Sequence, residues 1–472
     1  MDKSGREPNP LITVAEAGGF TPGLLGTVLA RVARSAPKEI SRREIAAGWP
    51  GTARPVDRRP ILQPTVSKAV RQLAKYGLLA EGTRQKQGRN WVRHLRLGGG
   101  FVTATAHVMQ KRSQPTGVTT LLCDIGGTRI LAERTRMFTD SEASWELLAR
   151  TIHQHVHLLT ESDSTKSLFG VGVEVGAPTI GGVVTPITEA TGTTGFSADL
   201  GGMLRRLFDH DPIPGTPSLA IVVENDVSCL TSLVYRDLGY RSTDLAVVAI
   251  LDEGVGGGLI MDGLLRRGRS GRAMEVGHLI VDLPPGWRDD EPDTAHQRLV
   301  RTRWARLAEP VKCRCGLLGH VDAFSTPSSI RRDLGRHHED DELPWTSLAA
   351  AVAATDAPHS SSVFACAGAA FGRGLAHVCN VADPGELVLF VPEGLVPPVP
   401  EPFAEFITCA EHELEESFAV RGRPSTTYQW RPLPPTRDAL ARLFGRAAAV
   451  RVLDTIIEQA LQLDDDLDQL AS

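Results

Sequence analysis

Several things are scarce in this sequence, and each scarcity closes off a class of protein. Uninterrupted apolar runs never approach the roughly 18–20 residues that a bilayer-spanning helix needs, so no membrane partner is expected. The opening residues, Met1-Asp-Lys-Ser-Gly-Arg-Glu-Pro-Asn-Pro10, hold no apolar stretch leading to a cleavage site. A signal peptide is therefore not expected, and a cytoplasmic location is. Cysteine is sparse too: seven residues, an odd number scattered over 472, do not make a disulfide framework. Only Cys313 and Cys315 lie close enough in sequence to share a ligand.

What is present is the composition of an ordinary globular chain, 42% hydrophobic and 23% charged, long enough for two to four domains. Its net charge of −5 hides an asymmetry. Thr21 to Arg96 hold 16 Lys and Arg against 4 Asp and Glu, a balance of +12 that leaves −17 on the remainder. A basic module on an acidic body is the pattern of a nucleic-acid binder with a separate ligand domain; the plainer reading is a solvated basic surface.

Residues 1–20 are punctuated by Gly and Pro and are expected to be poorly ordered. Thr21-Pro22 opens a helix in which Leu24, Leu25, Val28, Leu29 and Val32 recur at helical spacing until Pro37. Ser41 reads as the N-cap of a short helix over 42–47, with Gly48 past its end. After a Pro- and Arg-rich stretch comes the best helical grammar in the chain. Thr65, Val66, Ala69, Val70 and Leu73 share one face, and Ser67, Lys68, Arg71, Gln72 and Lys75 line much of the other. Two short strands, Leu78 to Glu81 and Asn90 to Leu97, then flank a basic tip over 83–89.

The unit expected over 21–98 is a winged helix-turn-helix. Gln63, Thr65, Ser67, Lys68 and Arg71 would present short polar and cationic groups to the major groove of a double-stranded DNA operator. Arg84, Lys86, Arg89 and Arg93 would reach the adjacent backbone or minor groove. A small helical domain mediating protein contacts is the competing reading. The stretch from Gly48 to Leu62 far exceeds the 3–4-residue turn of a helix-turn-helix. Either the loop carries an insertion, or the second helix lies elsewhere.

Gly98-Gly-Gly100 and Ser113-Gln-Pro-Thr-Gly117 bracket a connector, 99–117, whose middle is open to a helical reading. From Val118 to the end at 472, β and α patterns alternate, which predicts an α/β body. No short-period repeat is visible. Each half nevertheless has an apolar strand leading into a Gly-rich turn, a pattern open to two similar lobes.

Five segments of this body carry chemistry. Leu121-Leu-Cys-Asp-Ile-Gly-Gly-Thr128 ends an apolar strand in a turn where Gly126 and Gly127 let the backbone approach an anion. Asp124 and Thr128 add a carboxylate and a hydroxyl. Val222-Val-Glu-Asn-Asp226 ends a strand with an amide and a carboxylate. A second Gly-rich turn holds Gly254, Gly256 and Gly257, and Glu275-Val-Gly-His278 pairs two polar groups. Cys313-Arg-Cys-Gly-Leu-Leu-Gly-His-Val-Asp322 looks like half a metal site.

In this order the five segments closely resemble the ROK family of repressors and sugar kinases, from about Thr119 to Leu389. The resemblance implies a two-lobed fold of the actin/hexokinase type with a sugar between the lobes. A winged helix in front matches that family's transcriptional regulators, which are homodimers or tetramers. By the same resemblance Asn225 and Asp226 fall on the sugar-binding pair, Asp226 being the base in the kinases. Glu275, His278 and Asp322 fall on further sugar ligands. The family's metal site uses the His of the Glu-x-Gly-His motif and three Cys. Here His320 replaces the last Cys, leaving His278, Cys313, Cys315 and His320 as a set suited to structural zinc. A long insert separates His278 from Cys313.

Two nucleotide elements depart from the kinase pattern. Asp252-Glu253 stand where the kinases have Gly-Thr, and carboxylates repel a polyphosphate. Phe390-Val-Pro-Glu-Gly394 replaces a Gly-Gly turn. The expected protein is thus a sugar-responsive DNA-binding regulator, a repressor, with no enzymatic activity. The alternative is an active ATP-dependent sugar kinase with an appended DNA-binding domain. A third reading is a regulator that has lost its ligand and answers to a protein partner.

Overall fold

The computed structural model describes residues 9–36, 39–48, 60–87, 90–111, 114–161, 165–185, 197–216, 219–239, 243–251, 254–281, 312–313, 315–335, 348, 352–353, 355–396, 403–419 and 426–471. The first element is a helix where poor order was expected: α1, Pro10–Glu16. Asn9 caps it by accepting from Leu11 N at 2.9 Å, and Pro10 sits at its first position. Leu11 and Val14 give it enough apolar surface to be held by tertiary contacts.

Next come α2 (Pro22–Ser35, capped by Thr21), strand β1 (Ile40–Ser41) and α3 (Arg42–Ala47). Ser41 and Glu44 form a reciprocal capping box at the start of α3. Helix α4 (Gln63–Lys75) buries Val66, Ala69, Val70 and Leu73 on one face. The main chain of Ile61 donates to the Ala46 carbonyl at 2.9 Å, so the long connection between α3 and α4 leaves and returns at one point. Residues 49–59 of that connection lie outside the described residues. Strands β2 (Leu79–Gln87) and β3 (Asn90–Leu97) form an antiparallel hairpin, and β1 adds to β3. The strands reach further than expected, so Thr83 to Gln87 are strand rather than tip.

The segment 99–117, expected to be a connector, is mostly strand. Strand β4 (Phe101–Lys111) is the middle of a five-stranded sheet with β5 (Gln114–Asp124), β6 (Ile130–Met137), β7 (Ser167–Val175) and β11 (Ala220–Asn225). Helices α5 (Trp145–Glu161) and α6 (Leu200–His210) flank it, and a small three-stranded sheet holds β8 (Thr179–Ile180), β9 (Val183–Val184) and β10 (Ala198–Asp199). Strand β4 is buried on both faces, so it shows no period-2 alternation from which to recognise it.

Helix α7 (Asp226–Asp237) leads into a second five-stranded sheet: β12 (Leu245–Ile250), β13 (Val255–Met261), β14 (Leu264–Leu265), β15 (Glu386–Pro392) and β16 (Thr427–Leu433). Both sheets have one design. In the first, β4, β5 and β6 make an antiparallel meander, and β7 and β11 add in parallel on the other side of β4. In the second, β12, β13 and β14 make the meander, and β15 and β16 add in parallel beside β12. The chain therefore holds two α/β lobes of the same strand order.

Short helices α8 (Asp322–Ser325) and α9 (Pro327–Asp333) follow the cysteine segment. Then α10 (Ala357–Ala382) and α11 (Phe403–Ala419) cover the second sheet. By length and composition α10 could cross a membrane, but 89% of its apolar window is buried inside the structure. The last element, α12 (Arg437–Ala471), packs on β4, β5, β7 and α7 and also on α1 and α2. Asn9 Nδ2 donates to the Ile456 carbonyl at 2.9 Å, and Ile456, Ile457 and Ala460 share a core with Leu11, Leu25 and Leu29. One helix thus seats the N-terminal module on the body.

Candidate functional site

The C-terminal ends of parallel strands are where such sheets present loops and polar groups. At the end of β11, Asn225 caps α7 by accepting from Ser228 N at 3.0 Å, and Asp226 accepts from Val227 N at 2.7 Å. Asp226 is buried, and its other oxygen faces Gly176, just past the end of β7. A Cβ placed on Gly176 would lie 3.3 Å both from that oxygen and from Gln110 Oε1 of β4. Gln110 in turn accepts from Gly176 N at 2.7 Å.

Beneath Asp226 lies a pair that sequence reasoning missed. His107 on β4 bonds through Nδ1 to Glu174 on β7, and its ring stacks on Phe444 of α12 with centroids 5.7 Å apart. Burial pulls the His107 pKa down, but the Glu174 carboxylate outweighs it, so the imidazole sits above its ordinary value. Burial and the nearby Glu174 push Asp226 up to about 7. The available signal was a Glu inside the apolar strand Val171-Gly-Val-Glu-Val175, since a buried charge calls for a partner.

The second lobe supplies the other wall. Glu275 follows Met274, a non-glycine residue held at φ 65°, the kind of backbone strain that tolerates little change at a site. Burial and the neighbouring Asp322 push Glu275 up to about 7, against the pull of Arg272. Asp322 accepts from Val255 N at 2.7 Å. A Cβ on Gly277 would overlap the Asp322 carboxylate, so only glycine lets the two segments meet. Asp226 also feels the charge of Glu275. The structure therefore brings Asn225, Asp226, Glu275 and Asp322 into one neighbourhood. Carboxyls held near neutrality can donate as well as accept, which suits a ring of hydroxyls.

His278 belongs to a second cluster. A short ladder joins the two sides: Val281 N donates to the Gly319 carbonyl at 2.7 Å, and Val321 N to the Leu279 carbonyl at 3.1 Å. This puts His278 Nδ1 3.2 Å from His320 Nδ1 and 3.9 Å from Cys313 Sγ, with Cys315 Sγ 3.2 Å from His320 Nδ1. Gly316 and Gly319, at φ 84° and 74°, make the reversals that return the cysteine segment to His320. All four ligand atoms lie within 4.8 Å of one another, so the cluster could hold a metal ion. The insert between these segments, 282–311, lies outside the described residues.

The Asp124–Thr128 turn is not at this site, and the expectation of a phosphate loop there is corrected by topology. Strand β5 runs antiparallel to β4, with Asp124 opposite Val102, whereas the site lies beyond His107. Five residues of strand separate His107 from Val102, about 17 Å. In the second lobe the same place is held by the Asp262-Gly263 turn between β13 and β14. Asp124 instead accepts from Thr128 N at 2.7 Å and from its hydroxyl. Arg236 donates to the Gly126 carbonyl and Arg446 to that of Gly127, the latter at 2.9 Å. Gly127, at φ 62°, has no room for a Cβ, which would lie 2.5 Å from the Arg446 carbonyl on α12. A Cβ on Gly126 would lie 2.9 Å from Leu97 of β3. The turn is thus part of the joint between the N-terminal module and the body.

The second glycine set divides. Gly254 borders Asp322, but Gly256 and Gly257 are strand residues of β13, packed under Val227 and the Met274 carbonyl. Asp252-Glu253 lie outside the described residues. After β15 the chain enters a 3-10 turn, Glu393–Leu395. In the N-terminal module Gln63, Lys68 and Arg71 are exposed on α4, Thr65 and Ser67 are half-buried, and Arg84 and Lys86 are exposed on β2. Arg89 lies outside the described residues. Gln72 is used internally, donating to the Val14 carbonyl at 2.9 Å.

Known proteins agree with this architecture. The model of the ROK family matches residues 120–390. The crystal structure of a ROK family transcriptional regulator, a homolog of the E. coli MLC protein, superposes with a TM-score of 0.59 at 15% identity, covering 93% of this chain and 98% of that one. A ROK hexokinase from Thermus thermophilus superposes with a TM-score of 0.51 at 18% identity, over 74% of this chain and 99% of that one. In sequence, an N-acetyl-D-glucosamine kinase of Pectobacterium carotovorum subsp. carotovorum is 28% identical over 209 residues, 43% of this chain and 60% of the kinase. The same-named kinase of Yersinia enterocolitica is 24% identical over 208 residues, 44% of this chain and 59% of the kinase. The chain thus spans less than two thirds of either kinase. The matched family model covers more than half of the chain, and its actin/hexokinase-like α/β fold is the one described above: the chain belongs to the ROK family.

Proposed function

We propose that this chain is a sugar-responsive transcriptional regulator, a repressor, in which a winged helix-turn-helix reads DNA and the two-lobed body senses a monosaccharide. The carrying observation is an asymmetry in the site. The hydroxyl-binding set Asn225, Asp226, Glu275 and Asp322 is assembled. At the same end of the first sheet, however, the sequence from the last residues of β4 to the first of β5 reads Val108-Met-Gln-Lys-Arg-Ser-Gln114, with no glycine to admit a phosphate. Gln110 is spent on Gly176 rather than on a ligand. The MLC homolog, whose fold matches nearly the whole chain, is itself a transcriptional regulator.

The N-terminal module has the elements a winged helix needs: α3 and α4 joined at Ile61–Ala46, α4 with an exposed cationic side, and the β2–β3 hairpin as wing. Zinc at His278, Cys313, Cys315 and His320 would fix the segments that carry Glu275 and Asp322. Sugar bound across both lobes would favour one lobe spacing. Helix α7, which starts at Asp226, and α12, on which it packs, would carry that preference to α1 and α2. In a homodimer this changes the spacing of two DNA-reading helices.

Titration calorimetry of the purified chain against monosaccharides and N-acetylated sugars, with and without ATP, tests the reading. Heat of binding without ATP turnover is expected, together with sugar-dependent affinity for duplex DNA. A kinase remains the competing reading because Asp226, held near neutrality, has the placement of a general base. Turnover of ATP that Asp226→Asn abolishes would establish it and overturn the sensor.

A further inference from the structure

In the first lobe, α5 carries three histidines in alternation, His153, His155 and His157. His155 is buried and shares a hydrogen bond with Thr120 at 3.1 Å. His153 and His157, one helical turn apart, leave on the same side and converge on Asp211, which ends α6. Their Nε2 atoms are 3.1 Å apart. The same carboxylate oxygen of Asp211, Oδ2, lies 3.8 Å from one and 3.5 Å from the other.

We propose that His153, His157 and Asp211 form a binding site for a divalent transition-metal ion of the zinc class, separate from the cysteine cluster. A triangle with these three sides has its equidistant point roughly 2.0 Å from each corner, which is the zinc–nitrogen and zinc–carboxylate bond length. Two imidazoles and a carboxylate, with the fourth position left to water, are a recurrent zinc donor set.

The rings are also held in place. Phe208 of α6 packs against both, with centroids 4.7 Å from His153 and 6.3 Å from His157. Asp211 is largely exposed, so an ion has an open route in. The bound ion would clip the end of α6 onto α5.

Hydrogen bonding alone offers these groups another use, because both Nε2 atoms also lie within 3.2 Å of the Asp211 carbonyl. The test separates the two. Full-length protein is dialysed to equilibrium against buffered micromolar zinc, and bound metal is counted by atomic emission. The chain carrying both His153→Ala and His157→Ala is expected to hold one equivalent fewer than the native chain, whatever the cysteine cluster holds. Asp211→Asn, which keeps the carbonyl and removes the anionic ligand, is expected to lose the same equivalent while unfolding at an unchanged urea midpoint in zinc-free buffer. With cobalt in place of zinc, the thiolate-to-metal absorption of the cysteine cluster should be the same in all three chains. Equal metal content in the native and double-histidine chains overturns the site. Retention of the equivalent by Asp211→Asn reduces the three groups to hydrogen-bond partners and overturns it equally.

Discussion

Arg451, near the middle of α12, lies 3.5 Å from the carboxylate of Glu224, the residue immediately before the Asn225–Asp226 pair. Both side chains are buried. Glu224 also receives Arg267 Nε at 2.5 Å, and Arg451 also pairs with Glu458 at 2.9 Å. A few residues further along the helix, Ile456, Ile457 and Ala460 meet the N-terminal module. Removing one partner of a buried ion pair leaves the others uncompensated, at about 3–5 kcal/mol. Arg451→Ala is expected to lower the unfolding free energy by about that much, read from urea denaturation. A change within about 0.5 kcal/mol, ordinary for a surface site, would mean that the network is solvated.

Gly277→Ala is expected to impair the sugar site without unfolding the chain. The new Cβ would displace the Asp322 carboxylate from Val255 N. Loss of one such charge-assisted bond corresponds to at least about tenfold in affinity. Gly394→Ala is the control, because nothing lies within 4 Å of its Cβ position. Calorimetry with the best-binding sugar should show the first weakened and the second unchanged. Equal affinity in both would remove Asp322 from the site.

Asp226 gives stability a pH dependence whose sign is fixed by its shift from 3.8 up to about 7. Below about pH 4 the carboxyl is neutral in the folded and unfolded chains alike. Between pH 4 and 7 the unfolded chain ionises while the folded one resists, so stability is lost as pH rises. His107, with its pKa raised, acts in the same direction. Urea midpoints should therefore fall from pH 5 to pH 8, and fall less in Asp226→Asn. Parallel falls in the two chains would show that Asp226 is ionised in the folded protein.

The sequence made the capped elements legible and the buried ones not. Thr21, Ser41 and Gly48 mark helix ends by local chemistry, and α2 and α3 appear where those residues place them, while α4, which has no side-chain cap, was legible from its apolar face. Asn225-Asp226 at a strand end was equally readable, because a polar pair after an apolar run has few other uses. Strand β4 was hidden by its flanking glycines and by burial on both faces. His107 and Glu174 make sense only as a pair, and 67 positions separate them. The Asp124–Thr128 turn misled because a local motif does not record which end of a sheet it occupies. Only the pairing of β5 with β4 does.

The cluster of His278, Cys313, Cys315 and His320 is tied to the proposed sugar-binding residues through covalent neighbours: Glu275 is three residues from His278, and Asp322 two from His320. Cys313→Ser with Cys315→Ser is expected to abolish metal binding there and to weaken sugar binding as well. Ordered positions for Glu275 and Asp322 depend on the ladder between 279–281 and 319–321. Metal analysis and calorimetry on the same preparation check both. Full sugar affinity in a chain whose cysteine cluster holds no metal would show that the ladder stands without it.

Deleting residues 1–98 is a poor test of DNA binding, because it would uncover Ile456, Ile457 and Ala460 on α12 and invite aggregation. Point changes on α4 avoid this. Lys68 and Arg71 are exposed, and Arg71 bonds within its own helix, donating to the Ser67 carbonyl 3.3 Å away. Each cation placed against a DNA phosphate contributes about 0.9 to the slope of log affinity against log salt. Lys68→Ala and Arg71→Ala are each expected to weaken duplex binding and, where they contact phosphate, to reduce that slope by about one. If one of them contacts a base instead, its loss would relax sequence preference while leaving the slope nearly unchanged. Fluorescence anisotropy with a labelled duplex over 50–300 mM salt, about the range in which such slopes are measured, distinguishes these outcomes. Native affinity and slope in both variants would take α4 out of the DNA interface.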